Sequence, residues 1–137
     1  MKPLRLALAV FCIFTASLGL FVAHAFGADA PAGFSRKVLQ DQELTAANHH
    51  GVVAQIDFAV GAVAGRHTHP GEELGYVIEG TVVLEIDGKP PQTLKAGDSF
   101  FIPANVIHTA KNGGNTAARV VSSYVLEKGK PLATAAK

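Results

Sequence analysis

Two hydrophobic patterns divide the chain. Residues 6–22 form a run of 17 residues without a charge, whereas from Phe34 onward apolar positions come in short groups separated by Gly, Pro and Asn. Val52, Ala54, Ile56, Phe58 and Val60 alternate with Val53, Gln55, Asp57 and Ala59. A period of two predicts a strand with one buried face. Residues 74–78 and Thr81–Ile86 flank Glu79 and Gly80, and Asp87 with Gly88 predicts a hairpin turn between Thr81–Ile86 and Gln92–Lys95. Ala96, Gly97 and Asp98 predict a further turn before Ser99–Ile102, and residues 107–111 and 117–126 read as the last strands. No stretch after residue 25 carries a long helical period, and about eight to ten strands imply an all-β sandwich or small barrel. Residues 128–137 are small or polar and read as a loose tail.

The early apolar run has a different meaning. Lys2 and Arg5 precede it, and Ala23, His24 and Ala25 follow with the small-x-small pattern of a processing site. Residues 1–25 therefore read as a secretory signal peptide forming an N-terminal signal helix, with cleavage expected after Ala25. An uncleaved membrane anchor is the weaker alternative, because the run is short for a spanning helix. The expected location is periplasmic or secreted, with no stable membrane insertion after cleavage. Residues 26–33 read as a flexible linker, and residues 34–127 as the single folded domain.

Cleavage changes the composition. The whole chain has 137 residues, 12 Lys+Arg and 11 Asp+Glu; losing Lys2 and Arg5 leaves 10 against 11, a net charge of −1. With no basic cluster, a nucleic-acid partner is not expected. The one cysteine, Cys12, lies in the signal segment, so disulfides and thiolate ligands are excluded from the mature chain.

Three histidines and one glutamate carry the candidate chemistry. His67 and His69 are two residues apart, so on a strand they share a face. Pro70 and Gly71 turn the chain, and Glu73 opens the next strand where its carboxylate can reach the same centre. His108 brings a third imidazole from a distant strand. Such a set suits one divalent transition metal ion: Cu, Zn, Fe, Mn or Ni. It needs neutral imidazoles, so binding should weaken in acid.

The two blocks resemble the signature motifs of the cupin superfamily, in particular small single-domain bacterial cupins of quercetin dioxygenase-like type. Gly61, His67, His69, Glu73 and Gly80 match the first motif, and Gly97, Pro103, His108 and Asn112 match the second. Asn105 stands where the second motif has Gly; Asn best tolerates the positive φ such a turn requires, so the turn should survive. The resemblance covers about residues 50–126, with 16 residues, 81–96, between the motifs. It implies a jelly-roll β-barrel (a double-stranded β-helix) with the metal in its lumen. By it, His67, His69, Glu73 and His108 are the metal ligands, Glu73 is also a candidate catalytic base, and Gly61, Gly80, Gly97, Pro103 and Asn112 are architectural.

Other residues admit plainer readings. Glu72 is expected at a solvated rim, and His49 with His50 as a surface pair ahead of a strand. Arg66 is read as a solvated charge ahead of an anion binder at the barrel mouth. Phe58, Phe100, Phe101, Tyr76 and Tyr124 are read as barrel packing, with Tyr124 also a candidate donor beside the metal ligands. Gly75, two residues after Glu73, is expected to leave room near the metal. Residues 34–44 could form an edge strand through which a homodimer assembles.

Three functions follow: an oxygen-using metalloenzyme of quercetin dioxygenase-like type acting on a small molecule; a non-redox metal-dependent isomerase, lyase or decarboxylase; and a non-catalytic cupin that binds a metal or small ligand. No clear second acid or base accompanies the metal set, which favours metal-centred chemistry or plain binding. An exported protein draws its metal from the outer pool, where the divalent affinity order favours Cu or Zn over Mn or Fe.

Overall fold

The computed structural model describes residues 32–137. The expected signal segment, its cleavage site, Cys12 and most of the linker lie outside those residues. Among the described residues there is no helix. Ten strands form two five-stranded antiparallel sheets that enclose a jelly-roll barrel.

The first sheet has the order β1-β2-β9-β4-β7 and the second β10-β3-β8-β5-β6. Their strands are β1 (Phe34–Glu43), β2 (His49–Phe58), β3 (His67–Thr68), β4 (Gly71–Glu79), β5 (Thr81–Ile86), β6 (Gln92–Lys95), β7 (Ser99–Ile102), β8 (His108–Asn112), β9 (Ala118–Glu127) and β10 (Thr134–Ala135). The chain changes sheet between β4 and β5 at Gly80, whose φ is 77°. A Cβ there would stand 2.5 Å from the Ala117 carbonyl oxygen, so glycine is required both for the backbone angle and for the close approach.

Sequence alternation sets which side chains enter the lumen. Val52, Ala54, Ile56 and Phe58 of β2 are buried, and so are Ala118, Val120, Ser122, Tyr124 and Leu126 of β9. These two strands pair in register from His49↔Glu127 to Phe58↔Ala118, so their buried positions form continuous rows. Val82, Leu84 and Ile86 of β5 supply the facing side of the core.

Asn112 is buried and its amide nitrogen lies within hydrogen-bond distance of the Phe58, Ala59 and Thr116 carbonyls, at 3.2, 3.2 and 2.7 Å. Its Oδ1 accepts from Gly114 N at 2.9 Å. The side chain thus closes the turn from β8 to β9 and ties it to the end of β2, an architectural role.

Several expectations need correction. His49 and His50 do not precede a strand; they are its first residues, because pairing with Glu127 and Leu126 extends β2 backwards. Val60 is exposed beyond the end of β2 and continues no alternation. Tyr76 and Phe101 do not pack in the barrel; both point outward and are about half exposed. Residues 128–137 are not a loose tail. Thr134 and Ala135 pair with Thr68 and His67, and Ala136 N donates to Arg66 O at 3.0 Å. Residues 34–44 do supply an edge strand, with β1 pairing only to β2 among the described strands.

Candidate metal centre

The two sheets bring the predicted residues together from opposite sides. His67 of β3 pairs directly with His108 of β8 in the second sheet. Glu73 of β4 lies between Tyr124 of β9 and Ile102 of β7 in the first. His69 stands after the end of β3, in the corner leading to β4. That corner is pinned from both sides: Asn105 N donates to His69 O at 2.8 Å and Glu127 N donates to Pro70 O at 3.0 Å. Asn105 holds φ at 61°, as expected for a residue replacing glycine in the turn before His108.

All four side chains are buried, with residue exposures of 8% for His67, 1% for His69, 5% for Glu73 and 2% for His108. Ligand nitrogens of the three imidazoles lie within 4.8 Å of one another, and the three residues could hold a metal ion. The ring centroids are 4.3 to 5.0 Å apart.

The outer nitrogens decide the chemistry of the inner ones. His67 Nδ1 donates to Gly65 O at 2.9 Å, His69 Nδ1 to Leu132 O at 2.5 Å and His108 Nδ1 to Val106 O at 2.9 Å. A carbonyl oxygen only accepts, so each Nδ1 carries a proton, and a ring in its neutral form has its lone pair at Nε2. Nε2 of His69 and of His108 lies 3.0 and 3.6 Å from Glu73 Oε2, yet neither makes a well-directed hydrogen bond. Buried nitrogens left without a directed partner, beside a carboxylate oxygen, fit the donor set of a divalent cation.

The second oxygen of Glu73 is held separately. Ser122 Oγ donates to Oε1 at 2.7 Å and Tyr124 Oη at 3.2 Å. Burial pushes the Glu73 carboxyl up, but the adjacent His108 and His69 imidazoles and the Ser122 hydroxyl outweigh burial and hold it well below the usual carboxylate range. Burial, with the negative charge of Glu73, pushes the Tyr124 phenol far above its ordinary value, so Tyr124 acts only as a protonated donor. Burial is also the main force on His67; with the charges of His108, His69 and Arg36 it brings the imidazole down to about 4 against the opposing bond to Gly65. His67 is therefore neutral near pH 7.

A cavity with about 30 Å³ open to the centre of a water molecule adjoins these groups. Arg36, His67, Glu73, His108, Ser122 and Tyr124 line it together with apolar side chains such as Phe34, Leu84 and Phe100. The space suits a ligand of a few heavy atoms.

Three residues with roles at the site escape the sequence motifs. Ser122 is one, although a polar residue in the inward phase of β9 is the signal that points to it. Arg36 is another, inward on β1 with Phe34. The Leu132 carbonyl is the third, and a backbone acceptor leaves no trace in residue identity. Gly75 departs from expectation: a Cβ there would stand 2.0 Å from Phe100 Cζ, so the missing side chain makes room for that ring and not for a ligand. Arg66 forms an exposed two-point ion pair with Asp87 at 3.0 and 2.8 Å and does not line the cavity. Glu72 is exposed, as expected. His49 and His50 are half-buried and engage Ala47 O and Asp41 rather than the metal set.

The family model for the cupin domain matches residues 54–124. Germin-like protein 5-1 of Oryza sativa subsp. japonica is 34% identical over 89 residues, covering 61% of this chain and 40% of that protein. Oxalate oxidase 2 of Hordeum vulgare is 30% identical over 112 residues, covering 75% of this chain and 50% of that protein. The chain thus spans half or less of the length of these curated relatives. Among solved structures, a predicted oxalate decarboxylase from Thermotoga maritima is 28% identical with a TM-score of 0.58, covering 68% of this chain and 80% of that one.

Proposed function

The chain belongs to the cupin family, and from that premise we propose that it is an exported metalloenzyme that uses oxygen to transform a small molecule. One divalent transition metal ion is held by His67, His69, His108 and Glu73. The observation that carries the reading is the shared outer contact of the three buried imidazoles: every Nδ1 is committed to a backbone carbonyl, which leaves Nε2 as the ligand atom of each ring. The relatives named for oxalate oxidation and decarboxylation support chemistry on small molecules.

The bound ion would supply Lewis acidity and a place for oxygen chemistry. The protein's part is positioning. Ser122 and Tyr124 fix Oε1 of Glu73, which orients Oε2 toward the imidazoles. The depressed carboxyl makes Glu73 a better ligand than base at neutral pH, so any proton transfer by Glu73 requires it first to leave these contacts. Mostly apolar side chains line the remaining space.

The test is turnover of small carboxylates and phenols by metal-loaded protein in an oxygen electrode. Oxygen uptake that stops when Glu73 is replaced by Ala supports the reading. Equal turnover without oxygen contradicts it in favour of a non-redox isomerase, lyase or decarboxylase, and binding without turnover across a broad panel marks a plain binding protein. Export adds a second check: metal analysis of protein taken from its native compartment should find Cu or Zn, and predominant Fe or Mn would refute the compartment argument.

A further inference from the structure

Beside Glu73, the cavity wall is a ring seated on a glycine. Gly75 follows Glu73 by two residues on β4, so both positions face the lumen, and Gly75 pairs with Phe100 of β7. A Cβ at Gly75 would meet three atoms of that one ring, Cζ at 2.0 Å, Cε1 at 2.3 Å and Cε2 at 2.5 Å. The backbone does not require glycine here, because Gly75 lies within β4 and is not among the residues with positive φ. Only the ring requires it. At Gly71, by contrast, the nearest obstacle is the Val125 carbonyl oxygen, which belongs to the sheet itself.

The Phe100 ring therefore fills the place of a Gly75 side chain and stands between Gly75 and the cavity. Phe100 lines that space with His67, Glu73 and His108, whereas Gly75 does not. A methyl group added at Gly75 would point into the lumen and push the ring the same way. Ordinary contact begins at 3.4 Å, so the ring would have to retreat into the space beside the imidazoles. That space, about 30 Å³ open to the centre of a water molecule, has little room to give. β7 has only four residues and pairs with β4 alone among the described strands, so the seat on Gly75 fixes the ring from the one side where the sheet continues.

We propose that Phe100 is the specificity residue of this cavity, selecting ligands by size, and that Gly75 is the positioning residue that seats its ring clear of the imidazoles. This rests on the metalloenzyme reading above and adds a limit to its substrate: a bulky group next to the atoms on the ion is rejected.

The test titrates the cobalt-loaded full chain with imidazole and benzimidazole, two neutral ligands that bind through the same kind of nitrogen, and reads the visible bands of the ion. In Phe100→Ala the ratio of the two affinities should shift about tenfold or more toward benzimidazole relative to wild type. Gly75→Ala should keep its cobalt and bind imidazole about tenfold or more weakly. The double variant Gly75→Ala with Phe100→Ala should bind both ligands as Phe100→Ala does. An unchanged ratio in Phe100→Ala overturns the proposal, as do wild-type imidazole affinity in Gly75→Ala and a double variant as weak as Gly75→Ala. Binding of neither ligand in any variant overturns it too. If Gly75→Ala does not fold, the double variant decides the seat: folding restored by loss of the ring supports it, and failure of both contradicts it. A wild type that takes up no cobalt contradicts the metal centre instead. Urea midpoints of the metal-free chains then decide the role of Gly75, which should destabilise wild type but not Phe100→Ala when changed to Ala; equal losses in both backgrounds overturn the proposal.

Discussion

Asn105 sits at φ 61° one turn before His108, and its backbone N–H holds the His69 carbonyl. A β-branched side chain is strongly disfavoured in that region, while glycine enters it freely. Asn105→Val is expected to cost about 1–3 kcal/mol, and Asn105→Gly under about 1 kcal/mol. Thermal melts of the two variants check this, and equal melting temperatures would contradict it. His67 gives a second prediction at this scale. Its imidazole titrates at about 4 in the fold against 6.5 in the unfolded chain. Above 6.5 both states leave it neutral. Between 6.5 and 4 the unfolded chain takes up a proton that the fold refuses, so stability falls as pH drops through that window and levels off below it. The full effect is on the order of 3 kcal/mol. Glu73 has the same sign in a more acid window: its depressed carboxyl stabilises the fold above the ordinary carboxylate range, and that support is lost progressively as pH falls below that range. Urea midpoints of the metal-free chain at pH 7 and 4.5 should show the loss, and His67→Gln should reduce it. The same slope in both proteins would remove His67 as its source.

At the scale of elements, the β10 segment is the unexpected participant. Leu132 packs on the cluster of Val52, Ala54, Tyr124 and Leu126, and its carbonyl accepts the His69 Nδ1 proton. Removing residues 131–137 takes away that acceptor and the pairing with β3. Loss of such an outer partner typically costs 10–100-fold in metal affinity, so chelator competition should show at least about a tenfold weakening. Leu132→Ala keeps the carbonyl and loses the packing, so it should lower the melting temperature while leaving affinity near wild type. Unchanged affinity in the truncated chain would contradict the latch. The contrast with the other strands explains what can be read in advance. β5, β6 and β7 fall at their predicted bounds because Asp87 with Gly88 and Ala96 with Gly97 punctuate them. A two-residue strand such as β10 has no periodicity to detect, and its partner lies more than 60 residues away. The Gly75 expectation misses for a related reason: face periodicity shows which way the position points, but only the β4–β7 register shows that Phe100 stands opposite.

At the scale of the molecule, spacing in two short blocks identifies His67, His69, Glu73 and His108, since strand periodicity and turns place chemistry-bearing residues at fixed offsets. What surrounds them depends on how the sheets face each other. Ser122 and Tyr124 of β9, Arg36 of β1 and the Leu132 carbonyl reach the site from strands and segments that no local pattern connects to it. The barrel thereby divides its labour. One sheet and the His69 corner supply imidazoles locked by backbone carbonyls, the other supplies a carboxylate locked by hydroxyls, and the cavity between them carries the arginine. The four buried side chains are placed to make one metal centre. The most direct measurement is elemental analysis of the full chain beside His69→Ala, with far-ultraviolet circular dichroism on both. The expected result is close to one divalent ion per wild-type chain, falling below about a tenth of that in His69→Ala with the β spectrum retained. Unchanged metal stoichiometry in His69→Ala would contradict the site.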